Sequence, residues 1–152
     1  NSNNNGYLTA HKGTHTGNDK GDYGYVFLRC KLTADEGVGL GTVALGRPWN
    51  PDATVAYLYC EMGEHISKLP YSNEEGMHRY EIMSGNSPVN ADFKEYGNNG
   101  PGAITESIAG VSLMTEAEAA TYSIEKIFAA INGEIIWPDL WDANASLLAL
   151  QN

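Results

Sequence analysis

In two segments of this chain every second position carries an apolar side chain, as in strands with one buried face. They are residues 23–32 (YGYVFLRCKL) and 54–62 (TVAYLYCEM). At an offset of thirty residues one face of the first segment matches one face of the second: Val26 meets Ala56, Leu28 meets Leu58, Cys30 meets Cys60 and Leu32 meets Met62. The pattern therefore predicts two similar strands that repeat along the chain.

An offset that carries one strand onto its like is expected when successive coils of a parallel β-solenoid stack. Each coil then lies about 4.8 Å above the last, and like residues form ladders that point into the core. A β-sandwich gives the same alternation by chance, and two copies are a thin sample. From the pattern alone, the solenoid and the sandwich are equally good interpretations.

The rest of the chain adds short strands and one helix within a single domain, residues 1–152. Residues 6–11 (GYLTAH) and 42–46 (TVALG) are further strand candidates, whereas residues 94–103 (KEYGNNGPGA) are rich in turn-forming residues. Thr115 and Glu118 form a capping box before an apolar stripe that Asn132 and Gly133 end. This predicts an α-helix over residues 117–131.

Composition and charge narrow the class of function. The 152 residues are 42% hydrophobic and 18% charged, which are values typical of a globular protein. A formal charge of −10 argues against nucleic acid or an anionic membrane as partner. No apolar run approaches the roughly 20 residues that span a bilayer. Nothing in the composition calls for a metal or another cofactor.

A stiffened corner at residues 45–49 (LGRPW) carries the most informative side chains. Pro48 restricts Arg47 to extended geometry, and Gly46 permits a close backbone approach. The guanidinium of Arg47 is therefore held ready to bind a carboxylate through two parallel hydrogen bonds. Trp49 offers a flat apolar face of the kind against which sugar rings stack. The alternative is a structural arginine paired to a turn, beside a tryptophan that fills the core.

Other reactive side chains give weaker signals. His11 and His15 stand four residues apart, but glycine and threonine make the segment a loop, so surface histidines are expected rather than a zinc site. The chain has no G-x-S-x-G sequence, so no serine hydrolase triad is predicted. Cys30 and Cys60 are compatible with a disulfide between coils or with two neighbouring thiols.

Five segments, in order, give the chain a family resemblance. Residues 23–32 (YGYVFLRCKL) resemble the strand before a signature motif of the pectin methylesterases, and LGRPW resembles that motif. Residues 80–85 (YEIMSG) and 93–103 (FKEYGNNGPGA) resemble later segments of the same family, and residues 113–128 (LMTEAEAATYSIEKIF) resemble its closing helix. The likeness extends in register from residue 6 to about residue 130.

The resemblance implies a fold and a function. The fold would be mainly β, a right-handed parallel β-helix with a C-terminal α-helix packed on it. The activity would be hydrolysis of galacturonate methyl esters in pectin, outside the cell or in the periplasm, by two aspartates without a cofactor. Arg47 would be the catalytic residue that holds the nucleophilic carboxylate. Trp49 would stack on a galacturonate ring, and Met83 would line the cleft.

One departure from the family is large. The family's two aspartates precede the arginine, and Asp19, Asp22 and Asp35 stand in unrelated contexts here. The chain is therefore interpreted as the C-terminal part of a pectin methylesterase, incomplete at its N-terminal end and inactive alone. We expect self-association, or an N-terminal partner chain, at the open end of the solenoid. The alternative function is a non-catalytic solenoid module that binds pectin or acts as a scaffold.

Overall fold

A computed structural model describes residues 6–13 and 23–127, except for the side chain of residue 125. The described residues form two units, which divide between Thr115 and Glu116. The elements of the first unit are short strands and one turn of 3₁₀ helix: β1 Gly6–Tyr7, β2 Ala10–His11, β3 Tyr25–Leu28, β4 Lys31–Leu32, β5 Val43–Ala44, β6 Arg47–Pro48, β7 Thr54–Leu58, β8 Glu61–Met62, the 3₁₀ turn Pro88–Asn90, β9 Asp92–Tyr96 and β10 Ser112–Leu113.

The strands of the first unit stack as parallel neighbours. One sheet has the order β10-β9-β7-β3, and the pairs β1-β5, β2-β6 and β4-β8 form three narrower sheets. Val26 pairs with Ala56 and Leu28 with Leu58, so the predicted offset of thirty is confirmed. Every pairing between these strands is parallel. Stacked coils explain this pattern, whereas a sandwich requires antiparallel neighbours. The handedness of the coil stays a prediction.

The inward-facing side chains differ in part from the sequence prediction. Alternation places Ala56, Leu58, Cys60 and Met62 on one face, and all four are fully buried, but the core cluster contains Val55 and Tyr57 together with Cys60 and Met62. The predicted face therefore belongs to this cluster only from Cys60 onward, because Tyr59 adopts a left-handed conformation between the two halves, with φ at 55°. Arg29, at the same place one coil earlier, has the same φ. The odd-numbered residues therefore face the cluster before this bend, and the even-numbered residues face it afterwards.

A buried ion pair lies at the centre of the first unit. Arg79 and Glu95 are both fully buried, and two guanidinium nitrogens donate to the two carboxylate oxygens at 2.5 and 2.7 Å. Arg79 Nη1 also donates to the carbonyls of Ser67 and Gly102, at 2.8 Å each. Asn98 donates to Glu95 Oε2 at 3.0 Å. The charges are thus compensated by one another and by backbone groups, which buried charges require.

The described part of the second unit contains two short helices, α1 Glu116–Ala119 and α2 Ile124–Ile127. The predicted continuous helix over 117–131 is therefore wrong between them, and residues 128–131 lie outside the described residues. The first helix ends in a tight turn, because the N–H of Thr121 donates to Glu118 and that of Tyr122 to Ala119. Ser123 then caps the second helix, accepting from the N–H of Lys126 with its hydroxyl at 3.3 Å.

Candidate functional site

The Arg47 corner is held between two coils by backbone hydrogen bonds. Strand β6 runs parallel to β2, with Ala10 opposite Arg47 and His11 opposite Pro48. The N–H of Arg47 donates to Thr9 and that of Trp49 donates to His11, at 3.1 and 3.0 Å. These bonds fix the direction in which both side chains leave the strand.

The glycine before Arg47 makes this close stacking possible. The buried hydroxyl of Thr9 donates to the carbonyl of Leu45 at 3.0 Å, and it occupies the space where a Cβ on Gly46 would stand. Tyr57 donates its own hydroxyl to the same carbonyl at 3.0 Å. Burial is the main cause that raises the pKa of Tyr57 far above its ordinary value, and the Glu95 carboxylate adds to it. Tyr57 therefore stays a hydrogen-bond donor beneath the corner.

The guanidinium of Arg47 lies over an aromatic ring from the preceding coil. Its central carbon is 4.2 Å from the ring centroid of Tyr7, which is a cation–π distance. The Nε atom is buried and has no hydrogen-bond partner among the described residues. The guanidinium also forms no ion pair within that part of the chain. Arg47 thus has an unused donor, rather than the bond to a turn carbonyl that a structural arginine would make.

Asn86 links Trp49 to Met83, because it forms hydrogen bonds with the backbone of both residues. The side chain of Trp49 is half-exposed, and its carbonyl accepts a 2.6 Å hydrogen bond from Asn86 Nδ2. Asn86 also exchanges two backbone hydrogen bonds with Met83, at 2.8 and 3.2 Å. Between them Ser84 and Gly85 both have positive φ, as a tight two-residue hairpin turn needs. The structure therefore brings the three predicted site residues to neighbouring positions, while their roles remain predictions.

Sequence reasoning missed Tyr7 and Asn86 at this site. Tyr7 pairs through β1 with Ala44, a register that the short segment 6–11 did not reveal. Asn86 had a usable signal, because Ser84-Gly85-Asn86 reads as a turn directly after Met83. His11, predicted as a surface histidine, is half-buried and accepts the N–H of Thr54 on Nδ1 at 2.9 Å. His15, Asp19 and Asp22 lie outside the described residues, and Asp35 lines a separate groove with Glu36 and Glu64.

Two kinds of feature are absent from residues 6–13 and 23–127. No group of three or more histidine, cysteine, aspartate or glutamate side chains is arranged there to hold a metal ion. No helix in that part of the chain is long and apolar enough to span a bilayer.

The known proteins that this chain resembles in sequence and in fold all belong to the same family. No protein-family model matches the chain. Pectinesterase 2 of Olea europaea is 35% identical over 99 residues, which are 64% of this chain and 23% of that protein. The probable pectinesterase/pectinesterase inhibitor 42 of Arabidopsis thaliana is 30% identical over 127 residues, which are 80% of this chain and 22% of that protein. The chain is a homologue of the pectinesterases. It spans about a quarter of the length of these curated relatives.

The fold of this pectinesterase homologue agrees with the family. A pectin methylesterase solved in complex with a hexasaccharide superimposes with a TM-score of 0.58 at 22% identity. The match covers 87% of this chain and 40% of the solved one. A second such complex gives a TM-score of 0.56 at 21% identity. At these identities the likeness concerns the fold, which is mainly β with parallel strands.

Two of the segments that resemble the family have different structural roles in this pectinesterase homologue. LGRPW forms the corner that presents Arg47 and Trp49. FKEYGNNGPGA contributes Glu95 to the buried ion pair, and Asn98 also accepts the N–H of Cys60 at 2.8 Å. The first segment therefore supplies candidate site residues, whereas the second holds successive coils together.

Proposed function

We propose that this chain is the C-terminal part of a pectin methylesterase, an enzyme that hydrolyses the methyl esters of galacturonate units to free carboxylates and methanol. The single observation that carries the proposal is the Nε atom of Arg47, which is buried and unpartnered among the described residues beside the half-exposed Trp49. A buried guanidinium donor without an acceptor is unfavourable, and an incoming carboxylate satisfies it. The homology to pectinesterases supplies the chemical class.

In this mechanism Arg47 orients a nucleophilic aspartate from a segment outside the described residues. The aspartate oxygen forms a bond to the ester carbonyl carbon, and the methoxy group leaves as methanol after receiving a proton from a second carboxyl group. Water, giving its proton to that group, then cleaves the acyl-enzyme. The positive charge of Arg47 favours the ionised nucleophile. The ring of Tyr7 supports the guanidinium from its other side.

Trp49 and Met83 would form the wall of the substrate cleft. Trp49 is 49% exposed, so its indole is accessible for stacking against a sugar ring. The hairpin of residues 83–86 is bonded to the backbone of Trp49 and keeps Met83 beside it. Methyl esterification removes the carboxylate charge of the substrate, so a chain with a formal charge of −10 can still bind it.

The proposal includes three statements about the whole molecule. The coil is right-handed and carries a C-terminal helix, the protein acts outside the cell, and this chain alone is inactive because no aspartate in its sequence stands in the family's catalytic contexts. Among the described strands β3 is the first in its sheet and pairs only with β7. An unpaired edge of this kind favours pairing with a preceding coil, supplied by another segment or by a second copy.

The test is methanol release from highly methylesterified galacturonan. We expect none from this chain alone, and release when it is joined to the segment encoded upstream, provided that segment contains the two aspartates. In the joined protein, Arg47→Ala should abolish turnover, and Arg47→Lys should leave only a small part of it because lysine lacks the forked donors. Trp49→Ala should chiefly raise KM. An upstream segment without aspartates would overturn the esterase assignment in favour of a pectin-binding module.

A further inference from the structure

A second cluster of reactive side chains lies outside the Arg47 corner, at the loop of residues 70–77. The base of this loop is closed by the hydroxyl of Ser67, which donates to the carbonyl of Met77, and by the N–H of Arg79, which donates to Leu69 at 2.9 Å. Tyr71 is tied to the neighbouring coil through its N–H, which donates to Ala109 at 2.9 Å. The closure brings the two ends of the loop together.

The closed loop aligns a serine, a histidine and a glutamate. Ser72 Oγ lies 3.3 Å from His78 Nε2, and His78 Nδ1 lies 3.0 Å from Glu81 Oε1. These three residues occur within ten positions of the sequence, without the G-x-S-x-G turn that predicts such a site. The order of contacts is that of a nucleophile, a base and the carboxylate that orients the base.

The hydrogen bonds around the imidazole select one arrangement of protons. Glu81 Oε1 accepts both the backbone N–H of His78, at 2.7 Å, and its Nδ1. With the proton on Nδ1, the lone pair of Nε2 faces Ser72. The hydroxyl of Ser72 also accepts the N–H of Glu74 at 3.1 Å, so its own proton is left to donate to Nε2. The Tyr71 ring packs on the imidazole in a T-shaped arrangement, with centroids 5.6 Å apart.

The three side chains differ in how far they are exposed to solvent. The side chain of His78 is 8% exposed and that of Glu81 16%, so both are shielded from water. Ser72 is half-buried, and residues 73–76 beside it are exposed, so a small molecule in solvent can reach the hydroxyl. Glu74 and Glu75 are among these exposed neighbours and disfavour anionic reagents. A neutral ester fits this environment best.

We propose that Ser72 is a nucleophile that accepts acyl groups from small neutral esters, with His78 as its base and Glu81 orienting that base. Ser72 Oγ forms a bond to the ester carbonyl carbon while its proton passes to His78 Nε2. The bond from carbon to the leaving oxygen then breaks, and His78 returns the proton to that oxygen. The products are acyl-Ser72 and an alcohol, and water later releases the acid. The site is separate from Arg47 and does not depend on the proposed function.

The experiment is acetylation of the full chain by p-nitrophenyl acetate, followed as the burst of p-nitrophenolate and mapped by peptide mass spectrometry. We expect one acetyl group on Ser72, and none there in Ser72→Ala. His78→Gln should slow acylation by about 10²–10⁴-fold, the usual contribution of a positioned base. Glu81→Gln should slow it less, because the amide oxygen still accepts the Nδ1 hydrogen.

Two control variants and near-UV circular dichroism make the result decisive. Ser107 has an exposed hydroxyl that accepts the N–H of Leu113 at 2.8 Å, so Ser107→Ala should retain the full burst. Ser87 lies outside the loop of residues 70–77 and its hydroxyl accepts the N–H of Val89 at 3.3 Å, so Ser87→Ala should also retain the burst. Acetylation at other residues only, or unchanged acetylation of Ser72 in a folded His78→Gln variant, would overturn the proposal.

Discussion

Tyr7 and Arg47 contact each other across two neighbouring coils, with the guanidinium carbon 4.2 Å from the ring centroid. Replacing Tyr7 by Leu removes the aromatic face and should lower the free energy of unfolding by about 0.5–1 kcal/mol, the range of a partly exposed cation–π pair. Tyr7→Phe keeps the ring and should lower it less. Urea denaturation of Tyr7→Leu, Arg47→Met and the double variant measures the coupling. If the two single changes in the free energy of unfolding add up to that of the double variant, the contact between Tyr7 and Arg47 does not stabilise the fold.

Gly46 should tolerate no side chain. A Cβ there would collide with the hydroxyl of Thr9, so Gly46→Ala should destabilise the chain by about 1–3 kcal/mol, as overpacked sites do. The added variant Thr9→Ala should recover part of the loss by freeing that space. Gly6→Ala is the matched control, since its Cβ would lie at an ordinary 3.8 Å from the methyl groups of Val43. Thermal unfolding compares the four proteins, and equal melting temperatures for Gly46→Ala and wild type would refute the clash.

The buried pair of Arg79 and Glu95 should be far more important for stability than an exposed pair. Arg79→Met leaves the Glu95 carboxylate buried without its cation, which should lower the free energy of unfolding by about 3–5 kcal/mol. Lys31 and Glu61 form a surface pair at 3.0 Å with both side chains more than half exposed. Lys31→Met should therefore change stability by at most about 1 kcal/mol. Similar losses for both variants, measured by urea denaturation, would show that the buried network is not required.

Cys60 should be a slow-reacting thiol. Burial raises its pKa from an ordinary 9.0 to about 11, so little of the reactive thiolate is present at pH 8. Iodoacetamide should therefore modify half-buried Cys30 first, and a Cys30→Ala variant should react very slowly. Mass spectrometry of the alkylated peptides gives both rates. Faster modification of Cys60 than of Cys30 would contradict the burial argument.

The same thiol predicts a dependence of stability on alkaline pH. The unfolded chain releases the Cys60 proton near pH 9, before the folded chain does near pH 11. The stabilisation from keeping this thiol protonated is thus complete below pH 9 and is lost as the pH rises through 11. Urea denaturation between pH 8 and 11 should show a decline that is less steep in Cys60→Ala. An identical decline in both proteins would assign it to other groups, such as Tyr57 and Tyr80, whose pKa values burial also raises.

The sequence predicted the repeat more reliably than the inner face of the strands. The match of Val26 with Ala56 can be seen directly in the sequence, and the two residues are paired in the observed register. The positive φ of Tyr59 is not visible in any side-chain pattern, because tyrosine rarely adopts it. Tertiary packing imposes this conformation. The alternation alone therefore could not show which residues of the strand face the core cluster.

The candidate sites show the same limit. Pro48 and Gly46 mark the Arg47 corner locally, so the sequence identified it. The contact of Tyr7 with Arg47 joins residues forty positions apart, and the register of two-residue strands sets it. The approach of Ser72 to His78 depends on how the loop between them closes, which involves Ser67 and Met77. Composition carries little information about such closure.

The coils of the first unit differ in length although their strands stay in register. Val43 follows its neighbour Gly6 by 37 residues, yet precedes its next neighbour Ile66 by only 23. Loop-closure entropy grows only slowly with length, so added residues at a bend are inexpensive compared with a lost pairing. The architecture can therefore accept insertions between rungs, and new surface chemistry such as that around Ser72 can arise without rebuilding the stack that supports Arg47.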